Sequence, residues 1–213
     1  MLLLCLGILL GAAGVARAAD SPQAALVQAQ RGIDEANSDL FNAVVDVASV
    51  VDRAADALID LLKEQVVDGT EGTLAGEILG GNIAILLALA ASPEGSAQVA
   101  LLRSFLNTEV KNFVAVSINS GYLAGKPDSS VSVSRGSLTG ILRIMPAGRR
   151  EIVPGKSLVR QDGKARMSAF FNDPEAGSLP LELVFEKHKD GWRVMEIANV
   201  KELLHEVAKR KRK

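Results

Sequence analysis

Histidine and cysteine carry much of the acid–base and metal chemistry of proteins, and this chain has two histidines and one cysteine. His188 lies in "EKHKDG" and His205 in "LLHEVAK", and neither has a second histidine or a cysteine at metal-ligand spacing. No G-x-S-x-G segment supplies a serine nucleophile, and the glycine-rich "GTLAGEILGG" lacks the Lys-Ser/Thr pair of a phosphate-binding loop. The sequence therefore predicts no catalytic residue, no metal ligand and no cofactor.

Basic residues crowd the second half of the chain, where only Glu151 and Asp162 interrupt them between residues 143 and 166. One interpretation is that they lie at solvated hairpin ends. The other is contact with an anionic partner such as lipid headgroups, a cell-wall polymer or an acidic protein surface. A formal net charge of −1 and the lack of interleaved aromatic residues disfavour nucleic acid. The candidates for anion contact are Arg149, Arg150, Arg160, Lys164 and Arg166.

Acidic residues dominate the first half, with 12 acids against 3 bases between residues 19 and 80. Four of them, spaced four residues apart, form an acidic ridge on one predicted helix: Asp52, Asp56, Asp60 and Glu64. Like charges at this spacing repel by a few tenths of a kcal/mol per pair. The ridge is either a solvated helix face or a surface that docks on a basic partner or on the basic second half of the chain.

The chain begins with an export signal, residues 1–18, which has an apolar run and an A-x-A cleavage site ending at Ala18. Cleavage would remove Cys5, and the remaining chain of about 195 residues suits one domain that folds without disulfides. We expect a periplasmic or extracellular protein. The alternative is an uncleaved anchor in the inner membrane, although the apolar run falls short of the ~20 residues that span a bilayer.

Helical patterns occupy residues 21–121. Ser21 and Pro22 form a helix start, and an apolar stripe follows at helical spacing: Leu26, Ala29 and Ile33. A long helix carries Val47, Val51, Ala54, Leu58 and Leu61 on one face. The apolar run from Ile83 to Ala91 predicts a buried helix, and the alternative is an element that contacts lipid. Ser92 and Pro93 begin another helix, which we expect to continue to Phe113 and Val116.

Strand patterns occupy residues 128–200, beginning with "SVSVSRGSLTGILRIMP". Asp162-Gly163 and Asp190-Gly191 predict hairpin turns. Leu181, Leu183 and Phe185 alternate with glutamates, and in the last strand Arg193, Met195 and Ile197 alternate with Trp192 and Val194. A final helix over 200–208 and a basic tail over 209–213 complete the chain. The predicted fold class is α+β, with N-terminal helices packed on a curved antiparallel sheet.

The order of these elements, with a last strand that begins Gly191-Trp192-Arg193-Val194, resembles the nuclear transport factor 2-like, cystatin-like α+β superfamily. The chain also resembles a bacterial family of exported proteins through Asp39-Leu40-Phe41 with Val45-Asp46 and through Pro93-Glu94-Gly95. The resemblance implies a cone in which helices lie in the concavity of the sheet. Trp192 would then either close the sheet against a helix or form a wall of a ligand pocket, together with Phe113, Phe170 and Phe185.

Three functions follow from these expectations. The first is an exported, non-enzymatic protein that binds a hydrophobic ligand or a protein partner, and the second is a periplasmic carrier of phospholipid or another hydrophobic ligand. The third, an isomerase or dehydratase of the cone fold, would need a buried carboxyl group near a histidine or near Tyr122. The tail from Lys209 to Lys213 is either a solubilising end or a weak contact with an anionic membrane surface.

Overall fold

The computed structural model describes residues 19–67, 96–128 and 148–211. Helices come first and an antiparallel sheet follows, which confirms the predicted α+β class. The helices are α1 (Pro22–Asp34), α2 (Ser38–Asn42), α3 (Val47–Val67), α4 (Ser96–Asn119) and α5 (Val200–Lys211), and the strands are β1 (Glu151–Gln161), β2 (Lys164–Asp173), β3 (Gly177–His188) and β4 (Gly191–Ile197). Helix α5 continues beyond residue 208 into the segment that the sequence assigned to a basic tail.

Several predictions fall on residues outside the described ranges. They are the export signal with Cys5, the helix over Ile83 to Ala91, the helix start at Ser92 and Pro93, and the strand segment "SVSVSRGSLTGILRIMP".

Helix α1 begins as its sequence predicts. The Ser21 hydroxyl accepts a hydrogen bond from the Ala24 backbone N–H at 3.1 Å, and Pro22 occupies the first turn, where a missing N–H costs nothing. The stripe Leu26, Ala29 and Ile33 is buried, with at most 2% of each residue exposed. Because these residues share one helix face, α1 presents a continuous apolar surface to the sheet.

The four described strands form an antiparallel meander in the order β1-β2-β3-β4. Asp162 and Gly163 join β1 to β2 with positive φ angles of 48° and 74°, which is the backbone of a tight type I′ turn. Lys189 and Asp190 join β3 to β4, and Gly191 is the first residue of β4, opposite His188. Both predicted hairpins are therefore confirmed, with the second turn one residue earlier than the sequence predicts. The inner face of the sheet is apolar: Ala165, Met167, Ala169, Leu183 and Phe185 are buried there.

Strand β4 contains a β-bulge, which alters the alternation that the sequence predicts. Val184 of β3 lies opposite Glu196, and Phe185 lies opposite Val194, so that Met195 is an extra residue on β4. Ile197 therefore joins Val194 on the inner face. The expectation that Ile197 shares a face with Arg193 was wrong, because period-two alternation does not continue through a bulge.

Backbone hydrogen bonds attach the helical half of the chain to the free edge of β4. The Trp192 N–H donates to Ala19 O at 3.0 Å, the Val194 N–H donates to Val44 O at 2.8 Å, and the Asp46 N–H donates to Val194 O at 2.9 Å. The residues before α1 and before α3 are thereby fixed to one strand, and they cover a sheet edge whose backbone groups would otherwise need other partners.

A buried ion pair closes the opposite end of the sheet. Arg150 is 3% exposed, and its Nε donates to Asp173 Oδ2 at 2.7 Å. Burial acts to raise the pKa of Asp173, but hydrogen bonds from the Ala176 and Glu175 backbone N–H groups and the charge of Arg150 hold that pKa below its ordinary value. Asp173 therefore remains ionised at neutral pH and fixes both Arg150 and the turn between β2 and β3.

We expect Asp173→Asn to lower the free energy of unfolding at pH 7 by on the order of 3 kcal/mol, because it leaves the buried guanidinium without its counter-charge. Since the folded-state pKa of Asp173 is depressed, its stabilisation is present above about pH 4 and is lost as the pH falls through that folded pKa. Urea denaturation at pH 7 and at pH 3 measures both effects. Asp190→Asn, at the exposed Asp190–Arg193 pair, is the control, and an equal loss in both variants would contradict this role of Asp173.

Candidate functional site

A cavity of about 370 Å³ lies between the helices and the inner face of the sheet. This volume falls within the ~300–1,000 Å³ typical of small-molecule sites. Every described residue that lines it is apolar. They are Leu26, Ala29, Phe41, Val45, Val47, Val50, Val51, Val110, Val114, Ile152, Phe171, Leu179, Leu181, Leu183, Val194, Ile197 and Leu203.

The shape of the lining side chains explains why space remains. Seven of the lining residues are valines, which are shorter than the leucine, methionine or phenylalanine side chains that fill most cores. Val47, Val50 and Val51 come from the first turns of α3, and Val110 and Val114 come from successive turns of α4. On the sheet side, the bulge at Met195 brings Ile197 beside Val194. The size of the cavity thus depends on the positions of α3, α4 and the sheet relative to one another.

Helices α3 and α4, which both line this cavity, also make polar contacts with each other. Asp52 accepts a hydrogen bond from Asn107 Nδ2, and Asp56 forms an ion pair with Arg103. These are two residues of the predicted acidic ridge, and Arg103 belongs to the more basic part of the chain. The ridge is therefore solvated at Asp56, whose side chain is 53% exposed, and it also contacts α4 through Asp52 and Asp56. Asp60 is exposed.

The four aromatic residues predicted for a ligand pocket do not line this cavity. Trp192 and Phe185 are buried in the core with 7% and 0% exposure, Phe170 is 44% exposed on the outer face of β2, and Phe113 is half-buried on α4. The lining aromatics are instead Phe41 and Phe171. In β2, Phe171 has the same parity as Ala165, Met167 and Ala169, and this alternation is the signal that distinguishes it from Phe170.

Trp192, at the start of β4, packs in the core cluster with Ala19, Ala25 and Leu26. The guanidinium of Arg160 lies 5.9 Å from the centre of its ring, which is the geometry of a cation–π contact. Arg160 also donates to the side chain of Gln23 on α1 at 3.5 Å. Trp192 therefore closes the core between sheet and helix, and Arg160 covers its ring.

The other predicted anion-contact residues also pair within the chain and do not converge on one place. Arg149 bridges Asp34 at 3.1 Å and Glu151 at 3.5 Å, and its hydrogen bond to Asp34 is the main cause that lowers the pKa of that carboxyl group. On the outer sheet face, Lys164 approaches Glu186 at 3.3 Å and Arg166 approaches Glu182 at 3.6 Å. Arg150 is buried with Asp173. These bases mainly balance neighbouring carboxylates.

The described part of the chain has few side chains placed to act as a catalytic acid or base or to bind a metal. His188 and His205 are both exposed, and the His205 ring contacts the Lys201 carbonyl of its own helix at 2.8 Å. Across residues 19–67, 96–128 and 148–211, no cluster of three metal-ligating side chains occurs. Within the same ranges, no helix has the length and apolarity needed to cross a membrane.

Comparisons with protein-family models, with curated proteins and with solved structures gave no match to this chain. The resemblance to the nuclear transport factor 2-like superfamily stays a prediction.

We expect Trp192→Ala to lower the free energy of unfolding by about 3–5 kcal/mol, because it removes a large buried side chain and leaves a void. Phe170→Ala is the matched control: it removes an exposed aromatic ring of the same sheet and should cost much less. Thermal and urea unfolding of both variants measure the difference. A loss below about 1 kcal/mol for Trp192→Ala would show that the ring contributes little to the core.

Proposed function

We propose that this protein binds an apolar ligand, or the apolar part of an amphiphile, in the cavity between the helices and the sheet. The observation that carries the proposal is the cavity of about 370 Å³, whose described lining side chains are all apolar. The cavity is partly open to solvent, and its apolar walls lack some of the dispersion contacts that a filled core has. An apolar ligand would supply those contacts.

The chemistry of the lining supports binding over catalysis. Among the described residues that line the cavity, none carries a group that donates or accepts a proton, forms a charge or acts as a nucleophile. Such walls recognise hydrocarbon by area and shape, and each methylene that leaves water contributes ~0.8 kcal/mol. A chain of several methylenes would therefore be held without a hydrogen bond inside the cavity.

Export fits the same proposal. The predicted signal over residues 1–18 directs the chain to the periplasm or the extracellular space, where a hydrophobic molecule needs a protein to cross water. The proposed role is accordingly that of an exported carrier or receptor for a hydrophobic ligand. Extraction of the purified protein followed by mass spectrometry of the extract would identify a ligand retained from the cells.

A direct test uses N-phenyl-1-naphthylamine, a neutral dye whose fluorescence rises in apolar surroundings. We expect saturable binding to the wild-type protein, and binding weakened by about tenfold in Val114→Phe. The added ring would occupy space inside the cavity, and the loss of about two buried methylene equivalents of contact corresponds to that factor.

Asn112→Phe is the control for this experiment, since it adds the same ring at an exposed position of the same helix. Its dye affinity should equal that of the wild type. Dye binding that is absent from the wild-type protein, or that Val114→Phe leaves unchanged, would overturn the proposed function. Circular dichroism of each variant confirms that the fold is retained.

A further inference from the structure

The cavity between the helices and the sheet is closed at one end by the protein core. Leu26 and Ala29 of α1, Leu183 of β3 and Val194 of β4 line the cavity and also belong to the main core cluster, where each is at most 4% exposed. We name these four residues the cavity floor. Because the same cluster contains Phe185, which is fully buried, the cavity floor is part of the packed core and not of the surface.

The lining residues farther from the cavity floor are partly exposed. They are Val110 and Val114 of α4, Leu179 of β3 and Leu203 of α5. Leu179 lies four residues before Leu183 on the same face of β3, which is about 13 Å along the strand. The cavity is partly open to solvent. A ligand therefore enters past these partly exposed residues and ends at the cavity floor.

The volume of the cavity sets how much hydrocarbon it holds. An apolar protein cavity of about 150 Å³ binds benzene, which corresponds to about 25 Å³ for each carbon of the ring. On that scale the cavity of about 370 Å³ holds about 15 carbons. One long acyl chain has this size. The two acyl chains of a membrane phospholipid exceed it, so most of the second chain would stay outside.

We infer that the protein binds a single-chain amphiphile, with the end of the chain on the cavity floor and the head outside the open end. This inference rests on the proposed function and adds the class of ligand, which is a long-chain fatty acid or a lysophospholipid and not a two-chain phospholipid. Both supply the same hydrocarbon. The head stays in water because the described lining offers it no hydrogen-bond partner, and an unpartnered polar group is costly to bury.

The cavity floor then determines which chain length fits best. Ala29 is its smallest side chain and is fully buried, so a larger side chain there would occupy space that the end of the ligand needs. A smaller side chain at Val194 would deepen the cavity instead. Leucine at position 29 adds three carbons, and alanine at position 194 removes two. The two substitutions should shift the preferred chain length in opposite directions.

Isothermal titration calorimetry with fatty acids from octanoate to stearate, at pH 8 and below micelle formation, tests this inference. For the wild type the affinity should rise about fourfold per methylene, which corresponds to ~0.8 kcal/mol, and level off at about 15 carbons. Ala29→Leu should level off about three carbons earlier and Val194→Ala about two carbons later. Ala100→Leu adds the same side chain at an exposed position of α4 and is the matched control. Circular dichroism of each variant confirms that the fold is retained.

A second experiment compares one chain with two. The delipidated protein is incubated with vesicles of palmitoyl-oleoyl-phosphatidylcholine that also contain equal amounts of palmitate and palmitoyl-lysophosphatidylcholine. It is then separated from the vesicles, and its extract is analysed by mass spectrometry. We expect palmitate or the lysophospholipid in the extract and no two-chain lipid. Which of the two single-chain lipids is recovered identifies the head that the open end accepts.

Three results would overturn the inference. The first is a levelling point that Ala29→Leu and Val194→Ala leave unchanged, the second is an affinity that rises through stearate in every variant, and the third is recovery of the two-chain lipid or of no lipid. If the wild type still binds N-phenyl-1-naphthylamine in these cases, the proposed function stands. Absence of dye binding to the wild type is the separate outcome that overturns the proposed function.

Discussion

The arrangement of the chain depends on the backbone hydrogen bonds along the outer edge of β4. Three backbone hydrogen bonds join this edge to Ala19, Val44 and Asp46, which are more than 140 positions away in sequence. They set the position of α1, which begins three residues after Ala19, and of α3, which begins directly after Asp46. Packing of apolar faces alone leaves a helix some freedom to slide. Directional bonds to a strand fix where each helix starts, and thus which of its residues face the sheet.

The cavity is a consequence of that fixed geometry. With α3 held at Asp46, its first turns place Val47, Val50 and Val51 over the sheet, and α4 packs against α3 with Val110 and Val114. Valine is stiff at χ1 and has no long side chain that could move into the space. Methionine or leucine at these positions would have more ways to fill it. The same helix contact that holds the walls apart also buries Arg103 Nε and Asn107 Oδ1.

Much of the fold follows from local signals in the sequence, and much of the site does not. Ser21 with Pro22, the turn Asp162-Gly163 and the alternation through Leu183 and Phe185 are each decided by a few neighbouring residues, and these predictions are confirmed. The bulge at Met195 depends on what lies beside β4, and nothing in "GWRVMEI" marks it. The pairing of Asp52 with Asn107 joins residues 55 positions apart. A single sequence does not show contacts of that range.

Trp192 shows why residue type alone misplaces a site. A lone tryptophan attracts a functional interpretation, yet large aromatic side chains are also the most effective fillers of a core, and here the ring packs beneath Arg160 with 7% exposure. A site for an apolar ligand needs the opposite property, which is a region that the protein's own side chains leave unfilled. Short β-branched residues on several facing elements give that property, and each one looks like an ordinary core position in sequence. Under the proposed function, occupancy by an apolar ligand would stabilise the folded state by RT ln(1 + [L]/Kd), about 2.7 kcal/mol at a hundredfold excess over Kd. Binding and folding would then be coupled through the same valines.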